Sequence, residues 1–300
     1  MESKNILEIK KIKNLKVLEN VNLKNYTSFK FETIAALIVY PNNIESLKEL
    51  LAYLKLNNIK YKVIGNGSNL IFVDEVYDGV LIKLDMFNYI EINDTIIKVG
   101  AGCNLIKVAM EACKLGLTGL EFATGIPGTI GGAIFMNAGA YKSDMGYIVS
   151  EIKVLTPNME IKTLYNRELD FHYRTSILQK NPDYICLEAK LVLKHGDINE
   201  IRELVEERKQ RRLMTQPLEY PSAGSVFRNP DGDYAGRLIE EIGYKNKNIN
   251  DAFVSDKHAN FIINKGHAKG KDVRDLIYKI QDEVEKKYNI KLKAEQEFVE

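Results

Sequence analysis

The sequence has no tryptophan, only three cysteines and no long apolar run. The longest uninterrupted apolar stretch, 34–40, falls far short of the ~20 residues needed to cross a bilayer. The first residues mix charge with apolar side chains (Glu8, Lys10, Lys11, Lys13) and lack the apolar core of a secretory signal, so a cytoplasmic protein is expected. Cys103, Cys113 and Cys186 are odd in number and scattered, with no C-x-x-C spacing. That pattern argues against both a disulfide framework and a zinc site, and no metal is expected. An excess of one charge is also missing: 42 Lys and Arg against 41 Asp and Glu leave +1. A general nucleic-acid binder needs a large basic surface, so that class is excluded. No unit repeats with a period of tens of residues, which excludes a solenoid.

What is present is an ordinary globular composition, 45% hydrophobic and 28% charged over 300 residues. That length suits two or three domains and buries well over half of the unfolded surface. After a charged, partly helical lead-in at 1–25, a strand is expected at 31–40. Asn42 or Asn43 then caps a helix with Ile44, Leu47, Leu51 and Leu54 on one face. Strands follow at 60–64, 70–73 and 79–84. A hairpin over 89–99 turns at Asn93-Asp94. Residues 104–115 read as an amphipathic helix stopped by Gly116. A second hairpin, 147–155 with 159–165, turns at Pro157-Asn158, and a strand follows at 184–193. Helices at 198–213 and 272–288 and a short final strand complete the chain. Strands and helices mix without a regular βα beat, which favours α+β over a doubly wound sheet. The expected domains are 26–84, 85–194 and 195–300.

Ten of the 20 glycines lie between Gly100 and Gly146, marking backbone that turns sharply or approaches a ligand. Two glycine-rich loops stand out. Gly65-Asn66-Gly67-Ser68-Asn69 begins like a dinucleotide fingerprint, but Leu70 replaces the third glycine and a strand pattern follows, so the Rossmann reading fails. The loop can be an anion nest suited to a pyrophosphate, or an ordinary hairpin turn. In Gly125-Ile126-Pro127-Gly128-Thr129, followed by Gly131 and Gly132, Pro127 suits the first turn of a helix whose N-terminus faces a phosphate. The alternative is tight helix–sheet packing. Arg174, framed by Phe171 and Tyr173, can clamp a carboxylate or phosphate, or form a surface ion pair. Ser225 lacks the G-x-S-x-G context of a hydrolase nucleophile and reads on its own as a turn residue. The basic run 208–212 reads as a solvated helix face, and the carboxylates at 295 and 297 as tail charges.

Together these strings resemble the UDP-N-acetylenolpyruvoylglucosamine reductases, flavoenzymes that complete UDP-N-acetylmuramate for cell-wall peptidoglycan. The resemblance runs from Asn25-Tyr26-Thr27-Ser28 to the C-terminus. It rests on the two glycine loops, Met-Asn-Ala-Gly-Ala-Tyr at 136–141, Tyr-Arg-Thr-Ser at 173–176, and Gln-Pro-Leu-Glu-Tyr-Pro-Ser-Ala-Gly-Ser-Val-Phe-Arg-Asn-Pro at 216–230. Ala-Gly-Arg-Leu-Ile-Glu at 235–240 and Val-Ser-Asp-Lys-His-Ala-Asn-Phe-Ile at 254–262 complete it. The chain is similar to the shorter form of the family. Its tail departs from the family pattern Glu-Pro-Glu-Val-Arg-Phe: only Glu295 and Phe298 survive, and Gln296 stands at the valine. Asn250 and Asp251 replace two glycines.

The resemblance implies a two-part FAD-binding region of the vanillyl-alcohol-oxidase type plus a C-terminal α+β substrate domain. It implies NADPH as reductant and a UDP-sugar substrate, with no nucleic-acid, membrane or obligate protein partner. FAD would lie against Gly65, Asn66, Gly67, Ser68, Asn69, Gly125, Ile126, Pro127, Gly128, Thr129 and Gly132. Arg174 and Glu295 would sit at the substrate carboxylate, with Glu297 the alternative acid. Ser225 would donate a proton, and Asn229, with the basic face near Arg212, would contact the diphosphate.

Overall fold

The computed structural model describes residues 2–300. The chain folds into two compact units that interleave along the sequence. One holds residues 2–19, 37–66 and 78–209; the other holds 20–36, 67–77 and 210–300. The boundaries expected from the sequence were consecutive blocks, whereas these units exchange the chain several times.

The first unit is built on a five-stranded antiparallel sheet. Its order is Ile161–Tyr165, Val149–Leu155, Ile185–Val192, Ile96–Gly100 and Ile90–Asn93. Both expected hairpins are there. The first turns with Asp94 at φ 51°, a conformation that short polar side chains tolerate. In the second, Met159 takes φ 62° after the Pro157-Asn158 pair. The helix Leu105–Lys114 packs Leu105, Val108, Ala109 and Ala112 inward. Helix Ile44–Leu56 starts where Asn43 accepts from the Ser46 N–H at 2.9 Å, with the Ser46 hydroxyl answering. Such a cap contributes about 1 kcal/mol. Its Leu47, Leu50 and Leu54 are fully buried, each worth ~1.5–3 kcal/mol of transfer free energy. Tyr61–Ile64 lies parallel to the second half of Val76–Lys83.

In the second unit, helices Ala235–Glu241 and Gly270–Tyr288 share a core with Phe29, Phe31, Val226, Phe227 and Ile262. A three-stranded antiparallel sheet is formed by Asn248–Ile249, Ala252–Val254 and Ile262–Asn264. The expected final strand, Glu297–Val299, pairs in parallel with Leu70–Phe72. The rings of Phe29 and Phe31 stack at 4.9 Å.

The lead-in is helical in part, as expected, at Ser3–Lys11, and continues as a strand at Leu15–Asn22 that its weak alternation did not reveal. One local expectation is corrected. Pro127 is not in the first turn of a helix. The helix is Ile130–Phe135, capped by the Thr129 hydroxyl, which accepts from the Gly132 N–H at 3.3 Å. All three cysteines are buried thiols. Burial pushes Cys113 up to about 11 and Cys186 up to about 12, which suits packing rather than redox chemistry.

Candidate active site

The loop after Tyr61–Ile64 is not a hairpin turn. Tyr61–Ile64 pairs with Val76–Lys83, whereas Leu70–Phe72 pairs with the C-terminal strand. The loop that joins them therefore owes its shape to other contacts. Gly67 is buried at φ 61°. A Cβ there would stand 2.2 Å from the Tyr26 carbonyl oxygen and 3.0 Å from the Thr27 Cα. The Ser28 N–H donates to the Gly67 carbonyl at 3.4 Å, and the Ser28 Oγ beside it is buried with no hydrogen-bond partner in the protein. Asn69 donates from Nδ2 to the Glu295 carbonyl at 3.0 Å and accepts from the Glu297 N–H at 2.9 Å. The last residue of the loop is thus a joint to the C-terminal tail.

Gly65 and Asn66 belong to the first unit. A Cβ on Gly65 would meet the Thr129 Oγ1 at 2.5 Å, so the two glycine loops touch there. The Gly65 carbonyl accepts from Lys83 Nζ at 2.7 Å, and Asp85 lies 3.3 Å from the same ammonium. Lys83 is only 6% exposed, so this charged group sits inside the protein as the anchor of the loop. It was missed in the sequence, although a lysine closing the apolar run 80–82 is a visible signal.

The helix Ile130–Phe135 does not turn its N-terminal amides to a ligand. Ile130 N–H donates to the Cys103 carbonyl at 2.9 Å and Gly131 N–H to the Ala101 carbonyl at 2.9 Å, while Gly132 N–H goes to Thr129. The helix–sheet packing reading holds for Gly131, whose Cβ would meet Ala101 at 3.1 Å. This corrects the expectation of a phosphate at that terminus. Gly125, Ile126, Pro127, Gly128 and Thr129 form the loop that leads into it.

Arg174 occupies a turn in which His172 and Thr175 exchange N–H···O bonds of 3.1 and 3.0 Å. Its φ is 56°, which costs a non-glycine residue roughly 1–2 kcal/mol. The cost is offset by neighbours. Gln179 donates to the Arg174 carbonyl at 3.0 Å, Asn137 to the His172 carbonyl at 2.9 Å, and the Ser176 hydroxyl to the Phe135 carbonyl at 2.8 Å. Arg174 Nη2 donates to the Gly139 carbonyl at 2.8 Å, and its guanidinium lies over the Tyr173 ring. The strings at 125–141 and 173–176 are therefore one assembly, in which the first holds the second.

In the second unit, Ser225–Phe227 is an extended segment paired on both edges. Ser225 bridges Phe261, with Val226 N–H on the Asn260 carbonyl at 2.8 Å. Phe227 bridges Ala294, with Glu295 N–H on the Val226 carbonyl at 2.7 Å. Ser225 and Glu295 are thereby brought onto neighbouring segments, whereas Glu297 lies in the strand beside Leu70. Ser225 and Asn229 line one cavity of about 500 Å³ with Tyr234, Arg237, Lys257 and His258. Arg212 does not line it. Asn229 Oδ1 accepts from the Ala235 N–H at 3.1 Å, which fixes the start of the helix there. His258 Nδ1 accepts from the Asn260 N–H at 3.2 Å. Burial, assisted by Lys245, pushes its imidazole below the ordinary value against the pull of Glu240, so the ring is neutral near pH 7. Sequence reasoning had not singled out Lys257, His258 or Asn260 individually, because a loop string does not reveal which of its residues face a cavity.

Residues that fit a bound flavin dinucleotide are present. At Gly67 the Tyr26 and Thr27 backbone excludes a side chain, at Gly65 the Thr129 hydroxyl of the second loop does so, and the Ser28 hydroxyl is buried without a protein partner. Among the described residues no cluster of three His, Cys, Asp or Glu could hold a metal ion, and no helix is long and apolar enough to cross a membrane.

Comparison with known proteins agrees with both halves. Residues 35–165 match a family described as FAD binding domain, and residues 216–299 match the UDP-N-acetylenolpyruvoylglucosamine reductase C-terminal domain. The chain is 44% identical to a UDP-N-acetylenolpyruvoylglucosamine reductase of Halalkalibacterium halodurans, over 93% of each chain. It is 41% identical to that of Bacillus subtilis over 98% of this chain and 97% of the relative. The crystal structure of the Thermus caldophilus reductase superposes with a TM-score of 0.80 at 34% identity, covering 95% of this chain and 99% of that one. By fold, motifs and full-length similarity, the chain belongs to the UDP-N-acetylenolpyruvoylglucosamine reductases, a family of FAD-dependent oxidoreductases.

Proposed function

We propose that this protein reduces UDP-N-acetylglucosamine enolpyruvate to UDP-N-acetylmuramate with NADPH, as a cytoplasmic step of peptidoglycan precursor synthesis. The observation that carries the reading is Ser225 at the wall of a cavity of about 500 Å³ that also holds Asn229 and the cations Arg237 and Lys257. Lys257 and Asn229 suit a nucleoside diphosphate, the polar end of such a substrate, while Arg237 is engaged by Asp233 and Glu241.

The chemistry that FAD supplies when bound is relay of a hydride from NADPH to the methylene carbon of the enolpyruvyl ether. Residues Gly65, Asn66, Gly67, Ser68 and Asn69, with Gly125, Ile126, Pro127, Gly128, Thr129 and Gly132, would hold it. Hydride addition places negative charge on the neighbouring carbon and, by conjugation, on the substrate carboxylate. The Arg174 guanidinium, held by its turn and by the Gly139 carbonyl, stabilises that charge as it develops. Glu295 takes part at the same carboxyl group. Ser225 donates a proton to the carbon next to the one that received hydride. A serine is a poor acid in water, but the carbanionic centre is a strong base and the hydroxyl is already in position.

Ser225→Ala tests the reading. Flavin bleaching by NADPH needs no proton for the substrate and should proceed at close to the wild-type rate. Recolouring by enolpyruvyl substrate should slow by about 10²-fold or more, the range for loss of a positioned general acid. Ser225→Cys should restore part of it. Recolouring of Ser225→Ala at the wild-type rate in stopped flow would sink the assignment.

A further inference from the structure

Gln296 lies under the loop that carries Ser225, and it is only 4% exposed. Its Nε2 donates to the Ala223 carbonyl at 3.1 Å and reaches the Gly224 carbonyl at 3.5 Å. Its Oε1 is buried and accepts no hydrogen bond in the protein. A buried amide with one end unsatisfied is a poorer core residue than an apolar side chain of the same volume. What the amide contributes instead is its donor, and that donor grips the two peptides immediately before Ser225.

Those peptides need an outside hold. Gly224 sits at φ 74°, and nothing lies within 4 Å of where its Cβ would be, so no side chain pins the residue between Ser225 and the buried Ala223. On the other side of Ser225, Asn260 does the corresponding work. It is 4% exposed, accepts from the Phe227 N–H at 2.9 Å and donates to the Phe227 carbonyl at 2.8 Å. The segment 223–227 is thus bracketed by two buried side-chain amides, one ahead of Ser225 and one behind it. A hydroxyl that must meet a short-lived carbanion has to be aimed within a fraction of an ångström.

We propose that Gln296 is a positioning residue for Ser225: its amide donor fixes the Ala223–Gly224 peptides and so aims the hydroxyl, with Asn260 fixing the following turn of chain. The inference rests on Ser225 being the proton donor. It also gives a role to a polar residue in a buried tail position whose acceptor is left unmet.

The test is Gln296→Met, a near-isosteric change that removes the donor and the unmet acceptor together. The holoenzyme's two half-reactions are followed by stopped flow, with its thermal midpoint as a readout independent of turnover. Bleaching by NADPH should match wild type, the midpoint should hold or rise, and recolouring by enolpyruvyl substrate should slow about 10-fold or more. In a Ser225→Ala background the same change should add nothing, because Gln296 acts through that hydroxyl. Recolouring at the wild-type rate, an equal loss in both backgrounds, or a lowered midpoint with equal slowing of both half-reactions would each overturn the proposal. If Gln296→Met does not give folded holoenzyme, Gln296→Val, the residue of the family pattern, is read by the same criteria. Failure of both to fold also overturns the proposal, since it holds the amide dispensable for folding. Wild-type recolouring by Ser225→Ala alone would defeat the proton-donor reading itself, which separates the two failures.

Discussion

Substitution of Gly67 is the sharpest probe of the flavin loop. Two separate penalties apply there. The first is conformational: φ 61° costs an L-residue roughly 1–2 kcal/mol. The second is steric, because the new Cβ would stand 2.2 Å from the Tyr26 carbonyl oxygen, about 1 Å inside normal contact. Backbone must move to relieve it, and overpacking of that kind costs about 1–3 kcal/mol more. Gly243 isolates the first penalty. It has φ 72° with nothing within 4 Å of its Cβ position, so Gly243→Ala should lose only the conformational part, roughly 1–2 kcal/mol. Gly67→Ala should therefore lose roughly 2–5 kcal/mol, and Gly67→Val more, since a branched side chain is worse at positive φ. Displacing the loop should also release flavin. A distortion that weakens the bound state by ~1.4 kcal/mol lowers affinity tenfold. Urea unfolding gives the stability difference, and visible absorbance of the purified protein gives flavin occupancy. Full occupancy in Gly67→Val would refute the assignment of this loop to flavin, and a Gly67→Ala midpoint equal to that of Gly243→Ala would refute the steric argument.

Lys83→Met removes the buried ammonium that holds the Gly65 carbonyl. A loss of about 1.5–3 kcal/mol is expected, the range for a hydrogen bond to a charged group. Flavin retention should fall with it, and unchanged urea midpoints and occupancy would exclude the anchor role. His258 sets a pH dependence. Its folded-state value lies below the ordinary 6.5 because of burial, so below that pH the unfolded chain binds a proton the folded one does not. Stability should therefore fall on acidification through and below about pH 6.5, with a slope of at most about 1.4 kcal/mol per pH unit from this group. His258→Gln should flatten that part of the profile, and parallel profiles for the two proteins would rule the histidine out as its source.

The sequence by itself determined the pieces whose causes are local. Both hairpins, a helix capped by Asn42 or Asn43 and the helix after Asn104 follow from turn chemistry, capping and apolar spacing within a dozen residues. The glycine loops were legible as places where side chains are excluded, and the long string at 216–230 was specific enough to indicate the family. Tertiary structure decided what depends on partners far along the chain. The same N-terminal amides that a helix could turn to a phosphate are engaged, at Ile130 and Gly131, by carbonyls some thirty residues upstream. Whether Asn69 faces a ligand or the tail turns on Glu295, which no local rule can pair with it. Lys83 and Gln296 became intelligible only when the fold buried them and showed which backbone carbonyls they hold. A periodic pattern reports which face of an element is apolar, but a polar side chain's role is set by the group it meets, and that meeting is made by the fold.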